Sequence, residues 1–517
     1  MNQPTPAIVA QDAVRRLPRL ALLLFCLAYV IPGFIGREPW KNADIAAFGH
    51  MYELALGHAS WLAPTLLGQP PEFDALLPYW LGAVAIKFAP SFISPDLAVR
   101  LVFPLLLALT LLSTWYGVYY LARTQKAQPV PFAFGGEANP TDYARAMADA
   151  SILALIACLG LGQLSHETTP SLAQVAFGSL GFFAMAAIPR RPLAGGAALI
   201  AALTGLALSG APAMALLFGA GGLVIALLDR DDEEAASVSK QLPIYLAAML
   251  LVVALALIFD LWHWRIQDLA ATRWPPFGRL FLWFTWPAWP LALWTLWRWR
   301  RQLASRHVAL PFWFMVVGVG ATLLTPSSDR SLLLALPAMA ALAAFALPTL
   351  SRSVSALVDW FTLLFFTGCA VVIWVVWIAM QTGYPPRPAA NVARLAPGFE
   401  PSFSLFAFVL ALAATLAWAW LVKWRTGRHR TAIWKSLVLP AGGAALCWVL
   451  VMTLWLPALN YARGYSPLVR AVQSHMDRPG CVEIFGLSRA QIAALRYHGG
   501  MDLQWAGTDS KCPWLIV

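Results

Sequence analysis

The sequence predicts an all-α polytopic membrane protein with a small α/β domain at its C-terminal end, on three observations. Of 517 residues, 60% are hydrophobic and 12% charged, where a soluble domain carries about 25% charged residues. Apolar runs approaching the roughly 20 helical residues that cross a hydrocarbon core of about 30 Å recur down nearly the whole chain. Lys and Arg gather in the short connections between those runs, which is the pattern of a topology signal.

Taken in order, Arg15, Arg16 and Arg19 precede the first run, 20–34, and place the N-terminus in the cytoplasm. The segment Ile31-Pro-Gly-Phe-Ile-Gly36 has no small-x-small cleavage site, so this run reads as an uncleaved signal anchor. It delivers a polar-aromatic loop, 36–96, to the outer side. Within that loop, 76–92 is apolar but broken by Pro78, Lys87, Pro90 and Ser91, and reads as a helix lying in the interface. Making it a span would put Arg123 and Lys126, which close the run 97–121, on the outside, against the positive-inside bias.

Further runs lie at 151–163, 173–188, 197–209, 213–228, 242–258, 280–297, 308–324, 332–350, 356–380, 403–422 and 437–456. The total is about thirteen transmembrane helices. An odd number leaves 457–517 on the outer side, as a domain distinct from the transmembrane domain 1–456. In this tail, 467–475 and 488–497 read as helices, and 481–485 and 514–517 as strands. The implied arrangement is a multi-pass membrane protein with a cytoplasmic N-terminus and an external C-terminus.

The net charge of +11 does not point to nucleic acid, because the basic residues sit in inter-span connections and form no stripe or aromatic-interleaved patch. Cys26, Cys158, Cys369 and Cys447 fall in apolar runs, and Cys481 and Cys512 in the polar tail. In an oxidising compartment the last two are expected to pair as a disulfide. No metal-type spacing or nucleotide-binding motif is present, so no cofactor is expected, with a divalent metal left open.

The chemistry-bearing residues concentrate in the outer loops. Asp44 ends the run Arg37-Glu-Pro-Trp40-Lys41-Asn-Ala-Asp44 and precedes a helical apolar stripe over 45–56. It reads either as a carboxylate favoured by the helix dipole or as a general base. Lys41, Arg265 and other outer-loop cations are candidates to grip a lipid phosphate, because Arg forks match phosphate oxygens. Trp40 can stack on a sugar or sit in an aromatic belt. His166 and Glu167 form a further polar pair.

Four stretches carry a resemblance: Trp40-Lys-Asn-Ala-Asp44-Ile-Ala; Ala59-Ser-Trp61-Leu-Ala-Pro64-Thr-Leu-Leu-Gly68; Pro78-Tyr79-Trp80-Leu81; and Val99-Arg100-Leu101-Val-Phe-Pro104. With Gly210-Ala-Pro212 and Ser328-Asp-Arg330-Ser, they resemble the polyprenyl-phosphate-sugar-dependent membrane glycosyltransferases of the GT-C type. Within that type the chain looks like the bacterial aminoarabinose lipid A transferases and, more distantly, the protein O-mannosyltransferases, a resemblance that implies the bacterial inner (plasma) membrane and a periplasmic C-terminus. The resemblance implies a GT-C-like fold with interfacial helices in the first outer loop. It also implies transfer from an undecaprenyl-phosphate-sugar donor to a lipid, glycan or protein acceptor, with inversion.

It assigns Asp44 as catalytic base and Arg100 and Arg330 to the donor phosphate. Lys41 and Arg265 join them as phosphate candidates, and Trp40, Tyr79, His166 and Glu167 as substrate contacts. The chain departs from the pattern at Ala43, where a paired acid is usual, and at Phe73-Asp74-Ala75, where a phosphate-binding Lys is usual; Thr169 stands near the place of another common acid. Those departures keep a non-catalytic member in view. A transporter or flippase of lipid-linked saccharides is the other alternative, although the charges lie in loops and no inverted repeat is visible.

Overall fold

The computed structural model describes residues 5–229, 238–262, 274–324, 328–427, 432–476, 481–507 and 512–517. Helix α1 (Arg19–Val30) follows Pro18, and α2 (Ala43–Leu56) ends at Gly57, which takes the left-handed conformation (φ 78°) that a side chain would strain. Helix α3 (Leu77–Phe88) has Pro78 in its first turn; its 12 residues span about 18 Å. That is well short of a hydrocarbon core of about 30 Å.

Proline repeatedly opens the helices that follow, at a position whose N–H has no intrahelical acceptor to lose. This holds for α4 (Pro95–Ala122) and α5 (Pro140–Ala157) and, after the single turn α6 (Leu161–Leu164), for α7 (Pro170–Ala187), α8 (Pro192–Leu208) and α9 (Pro212–Leu228). Then come α10 (Val238–Ile258), α11 (Trp274–Phe284), α12 (Ala288–Arg298), α13 (Arg306–Leu324), α14 (Ser328–Leu332) and α15 (Leu336–Ala346). The membrane part closes with α16 (Arg352–Thr382), α17 (Pro386–Leu395), α18 (Leu405–Thr426) and α19 (Lys435–Leu454).

Among the described residues, eight helices are long and apolar enough to cross a membrane. The remaining five predicted spans are also helical but shorter, interrupted or less apolar. The run 280–297 is two helices, α11 and α12, because Pro287 has no N–H to donate and its ring collides with the preceding turn. The run 151–163 begins eleven residues earlier, at Pro140, where Asn139 accepts from the Thr141 N–H; Asp142, Arg145 and Asp149 hide that start from an apolar-run reading. Helix α17 falls in a segment read as loop.

Burial separates a protein-packed centre from an apolar rim. The span 330–349, which contains α15, has 89% of its apolar stretch buried, packed by α5, α12 and α13, whereas α18 has 11% buried. Leu364 on α16 and Leu416 and Trp420 on α18 project outward, so this face is apolar by design of the sequence and suits lipid.

The chain ends in α20 (Leu456–Arg463), α21 (Ser466–Gln473) and a three-stranded parallel sheet of β1 (Cys481–Ile484), β2 (Asp502–Trp505) and β3 (Trp514–Ile516), ordered β2-β1-β3. Val482 pairs with both Leu503 and Trp514. Strand β2 is absent from the sequence reading because only Leu503 of its four residues is buried. Helix α22 (Arg489–Gly499) connects β1 to β2; Ser488 and Gln491 form its capping box. Cys481 and Cys512 are joined, with Cα atoms 5.2 Å apart.

This domain docks on the first loop through α22. Arg496 Nε donates to Glu53 Oε1 (3.0 Å), Tyr497 Oη donates to Asp96 Oδ1 (2.7 Å), and Trp505 Nε1 donates to the Leu67 carbonyl (2.9 Å). Helices α2 and α22 touch at Gly49, where a Cβ would lie 2.5 Å from the Ala493 Cβ. Gly49→Ala is therefore expected to push the helices apart at a cost of about 1–3 kcal/mol. Faster proteolytic release of the C-terminal domain would report it; unchanged cleavage would mean the helices absorb the methyl.

Candidate functional site

The loop between α1 and α2 turns Asp44 inward, and its surroundings decide what it can do. The side chain is fully buried. Its Oδ2 accepts from Arg100 Nη2 (2.9 Å), Arg37 Nη2 (3.2 Å) and the Trp40 N–H (3.2 Å). Its Oδ1 accepts from both the N–H and the hydroxyl of Thr168, each at 2.8 Å. Burial alone would raise the Asp44 pKa, but Arg100 and Arg37, with the Thr168 and Arg100 hydrogen bonds, outweigh it and hold the carboxyl well below the usual carboxylate range.

The network extends outward. Arg37 lies 4.0 Å from Glu167 Oε1, and Glu167 Oε2 accepts from Arg330 at 2.8 Å. Burial lowers the Arg37 pKa to about 10 despite the two carboxylates. Three guanidiniums thus meet two carboxylates in a small volume, leaving one positive charge in excess.

Beside this network opens a cavity of about 660 Å³. Its walls come from α2 (Asn42, Ala43, Ala46, Ala47, His50), the following loop (Gln69, Glu72, Phe73), Tyr79 of α3, Thr169 and Pro170 of α7, Arg330 of α14, and Leu487 to Ala490 at the start of α22. His50 is 1% exposed, and neither ring nitrogen has a hydrogen-bond partner; burial, then Arg489, lowers its pKa to about 4. The Thr169 hydroxyl is also buried and unpartnered. Burial, then Glu72 and Asp74, raises the Tyr79 pKa. Among the described residues, no three of His, Cys, Asp or Glu gather as a ligand set for a metal.

The residues expected from the sequence divide unevenly. Tyr79 and Arg330 line the cavity. Asp44 and Arg100 lie behind the wall, locked to one another; Arg100 Nη2 also donates to the Glu38 carbonyl at 3.2 Å. Lys41 is exposed and donates to the Ala462 carbonyl (3.0 Å), far along the tether to the C-terminal domain. Trp40 is covered by Arg37, whose guanidinium carbon sits 3.8 Å from the ring centroid, so its face is not open to a sugar. His166 is a packing residue: Nε2 meets the Tyr29 carbonyl at 2.9 Å and its ring lies 4.5 Å from that of Trp448. Glu167 contacts Arg330 and Arg37 and does not line the cavity. Arg265 lies outside the described residues.

His50 and Glu72 belong to the polar residues of loop one but carry no assigned role from the sequence, and Arg489 is not among its candidates. His50 stands six positions after Asp44, about 1.7 turns along the same helix and so rotated by about 120° from it; Arg489 lies too far along the chain for any local pattern to join it to loop one.

No protein-family model matches the chain, and no curated protein matches it either. Among solved structures, it is similar to the crystal structure of ArnT from Cupriavidus metallidurans bound to undecaprenyl phosphate, with a TM-score of 0.59 and 14% identity over 95% of this chain and 86% of that one. The apo form of the same protein gives a TM-score of 0.56 at 14% identity, over 95% of this chain and 85% of that one.

Two outcomes follow from the Asp44 cage. Asp44→Asn leaves Arg37 and Arg100 buried against a neutral amide, so a loss of about 3–5 kcal/mol is expected, measured as a lowered melting temperature in detergent; a wild-type melting curve would mean the cage is not structural. Because the folded pKa lies below the unfolded value of about 3.9, the stabilisation from Asp44 is complete above that value and fades only as pH falls below it. Acidification from pH 7 to 5 is thus expected to leave this contribution intact. The similarity to ArnT at this level of identity is one of fold, and the chain has an ArnT-like fold.

Proposed function

We propose that the protein is an integral membrane glycosyltransferase that moves a sugar from an undecaprenyl-phosphate-linked donor to a lipid, glycan or protein acceptor on the periplasmic face of a bacterial inner membrane. The observation that carries this reading is the charged cavity at the junction of the first loop, α14 and the C-terminal domain. It occurs in a fold similar over 95% of the chain to an ArnT structure that holds undecaprenyl phosphate.

The reaction asks for little covalent chemistry from the protein. An acceptor oxygen attacks the anomeric carbon, the bond from that carbon to the phosphate oxygen breaks, and the phosphate leaves with the electron pair, inverting the configuration. The enzyme must hold the leaving anion and receive the acceptor's proton. Arg330 lines the cavity and is anchored by Glu167, which aims its guanidinium without neutralising the cluster. This supports Arg330 as a phosphate ligand.

Asp44 suits a different task from the base role its loop position implies. A base needs an open lone pair, and this carboxylate's oxygens are already engaged by five donors. It is better placed to fix Thr168, and with it the start of α7 at the cavity rim. Arg100 supports it in the same way. The proton then falls to His50 or Glu72, both on the cavity wall.

With donor and acceptor supplied to the purified enzyme, Arg330→Ala is expected to raise the apparent donor KM at least tenfold; unchanged donor dependence would remove Arg330 from the phosphate site. His50→Gln and Glu72→Gln, made separately, identify the proton acceptor as the variant that loses roughly 10²- to 10⁴-fold in kcat at near-normal donor KM. If neither does, the wall does not supply the base.

A further inference from the structure

Three helices begin at the cavity. Asn42 and Ala43 open α2, Thr169 and Pro170 open α7, and Ser488 and Arg489 open α22, and all six line the same space. The start of a helix carries about half a positive charge and unpaired N–H groups, which attract anions. At α2 and α7 the residue preceding the first turn makes no side-chain cap hydrogen bond. The only acid in the three first turns is Asp44, and its charge is taken up by Arg37 and Arg100.

Two buried polar side chains at this convergence, His50 and Thr169, have no hydrogen-bond partner for their side-chain polar atoms. Opposite them stands Arg489. It is half-buried, its Nε is buried without a partner, and among the described residues no acid or carbonyl pairs with it. Its charge is felt at both His50 and Tyr79. Arg330, by contrast, already shares its charge with Glu167. A guanidinium held without a counter-ion beside three helix starts is an arrangement that an incoming anion completes.

We propose that Arg489 of the C-terminal domain, with the uncapped starts of α2 and α7, binds the phosphate of the substrate, so that this domain supplies part of the binding site. This rests on the transferase reading and deepens it. Phosphate recognition here uses a residue from the far end of the chain, at a cavity whose nearby loop offers Phe73-Asp74-Ala75 and no lysine. The shared chemistry is a phosphate monoester or diester, which either a polyprenyl phosphate or a phosphorylated acceptor can present.

The test measures binding to the purified full-length protein in nanodiscs. The probes are undecaprenyl phosphate, undecaprenol without the phosphate, and glucosamine 1-phosphate as a soluble phosphate ester. Wild type is expected to bind undecaprenyl phosphate and to bind undecaprenol far more weakly. Arg489→Gln should weaken undecaprenyl phosphate at least tenfold, Arg489→Lys should lose less, and Arg470→Gln on the exposed face of α21 should change nothing. Melting temperatures of the variants separate lost binding from lost folding, and Arg489→Lys covers the case in which the Gln variant fails to fold.

Wild-type affinity in a folded Arg489→Gln or, should that variant not fold, in Arg489→Lys overturns the inference; if Arg330→Ala loses binding at the same time, the transferase reading survives it. Arg489-dependent binding of glucosamine 1-phosphate without any of undecaprenyl phosphate keeps the phosphate site and removes the lipid-linked donor. Failure of wild type to bind any phosphate probe overturns both.

Discussion

A single buried carboxylate organises this molecule's functional end. Asp44 is out of water, yet it is kept ionised by two arginines, two backbone N–H groups and a hydroxyl. The five donors come from three stretches: the entry to the first loop, the start of α4, and the connection between α6 and α7. A charge this deep would be costly alone, and so would the arginines; together they form a joint that fixes three segments. The cavity beside it inherits that rigidity, because α2 and α7 both start from the joint.

The second support is the C-terminal domain. Arg496 meets Glu53 and His58, Tyr497 meets Asp96, and α22 lies against α2 at Gly49, so the domain is seated on the first loop at several points. Ser466 Oγ also donates to Glu38 Oε2 on the other side of the loop. Polar pairs across such a seat set orientation more than they add affinity. That orientation brings Arg489 to the cavity rim.

Much of the architecture was legible because apolar runs and their basic stops are long, repeated signals: the eight full-length spans, the tail helices α21 and α22, β1 and β3 all coincide with runs or periodicities in the sequence, whereas α20 does not. Breaks within runs were harder. Pro287 divides an apolar stretch that composition alone joins, and charged residues conceal the first half of α5. At the site, local reading located the loop and the charged residue at its heart, while Tyr79 and Arg330, named through the resemblance, lie on the cavity wall. It could not tell which cations are spent on internal carboxylates, since that depends on contacts such as Arg330 with Glu167, 163 residues apart. Nor could it join Arg489 to His50, whose meeting is a product of the docked domain.

The Arg496–Glu53 bridge ties residues 443 positions apart. As the chain leaves the ribosome, the first loop is made early and α22, which supplies Leu487 to Ala490 of its cavity wall, emerges much later. A chain truncated before α22 therefore presents that groove with one wall missing.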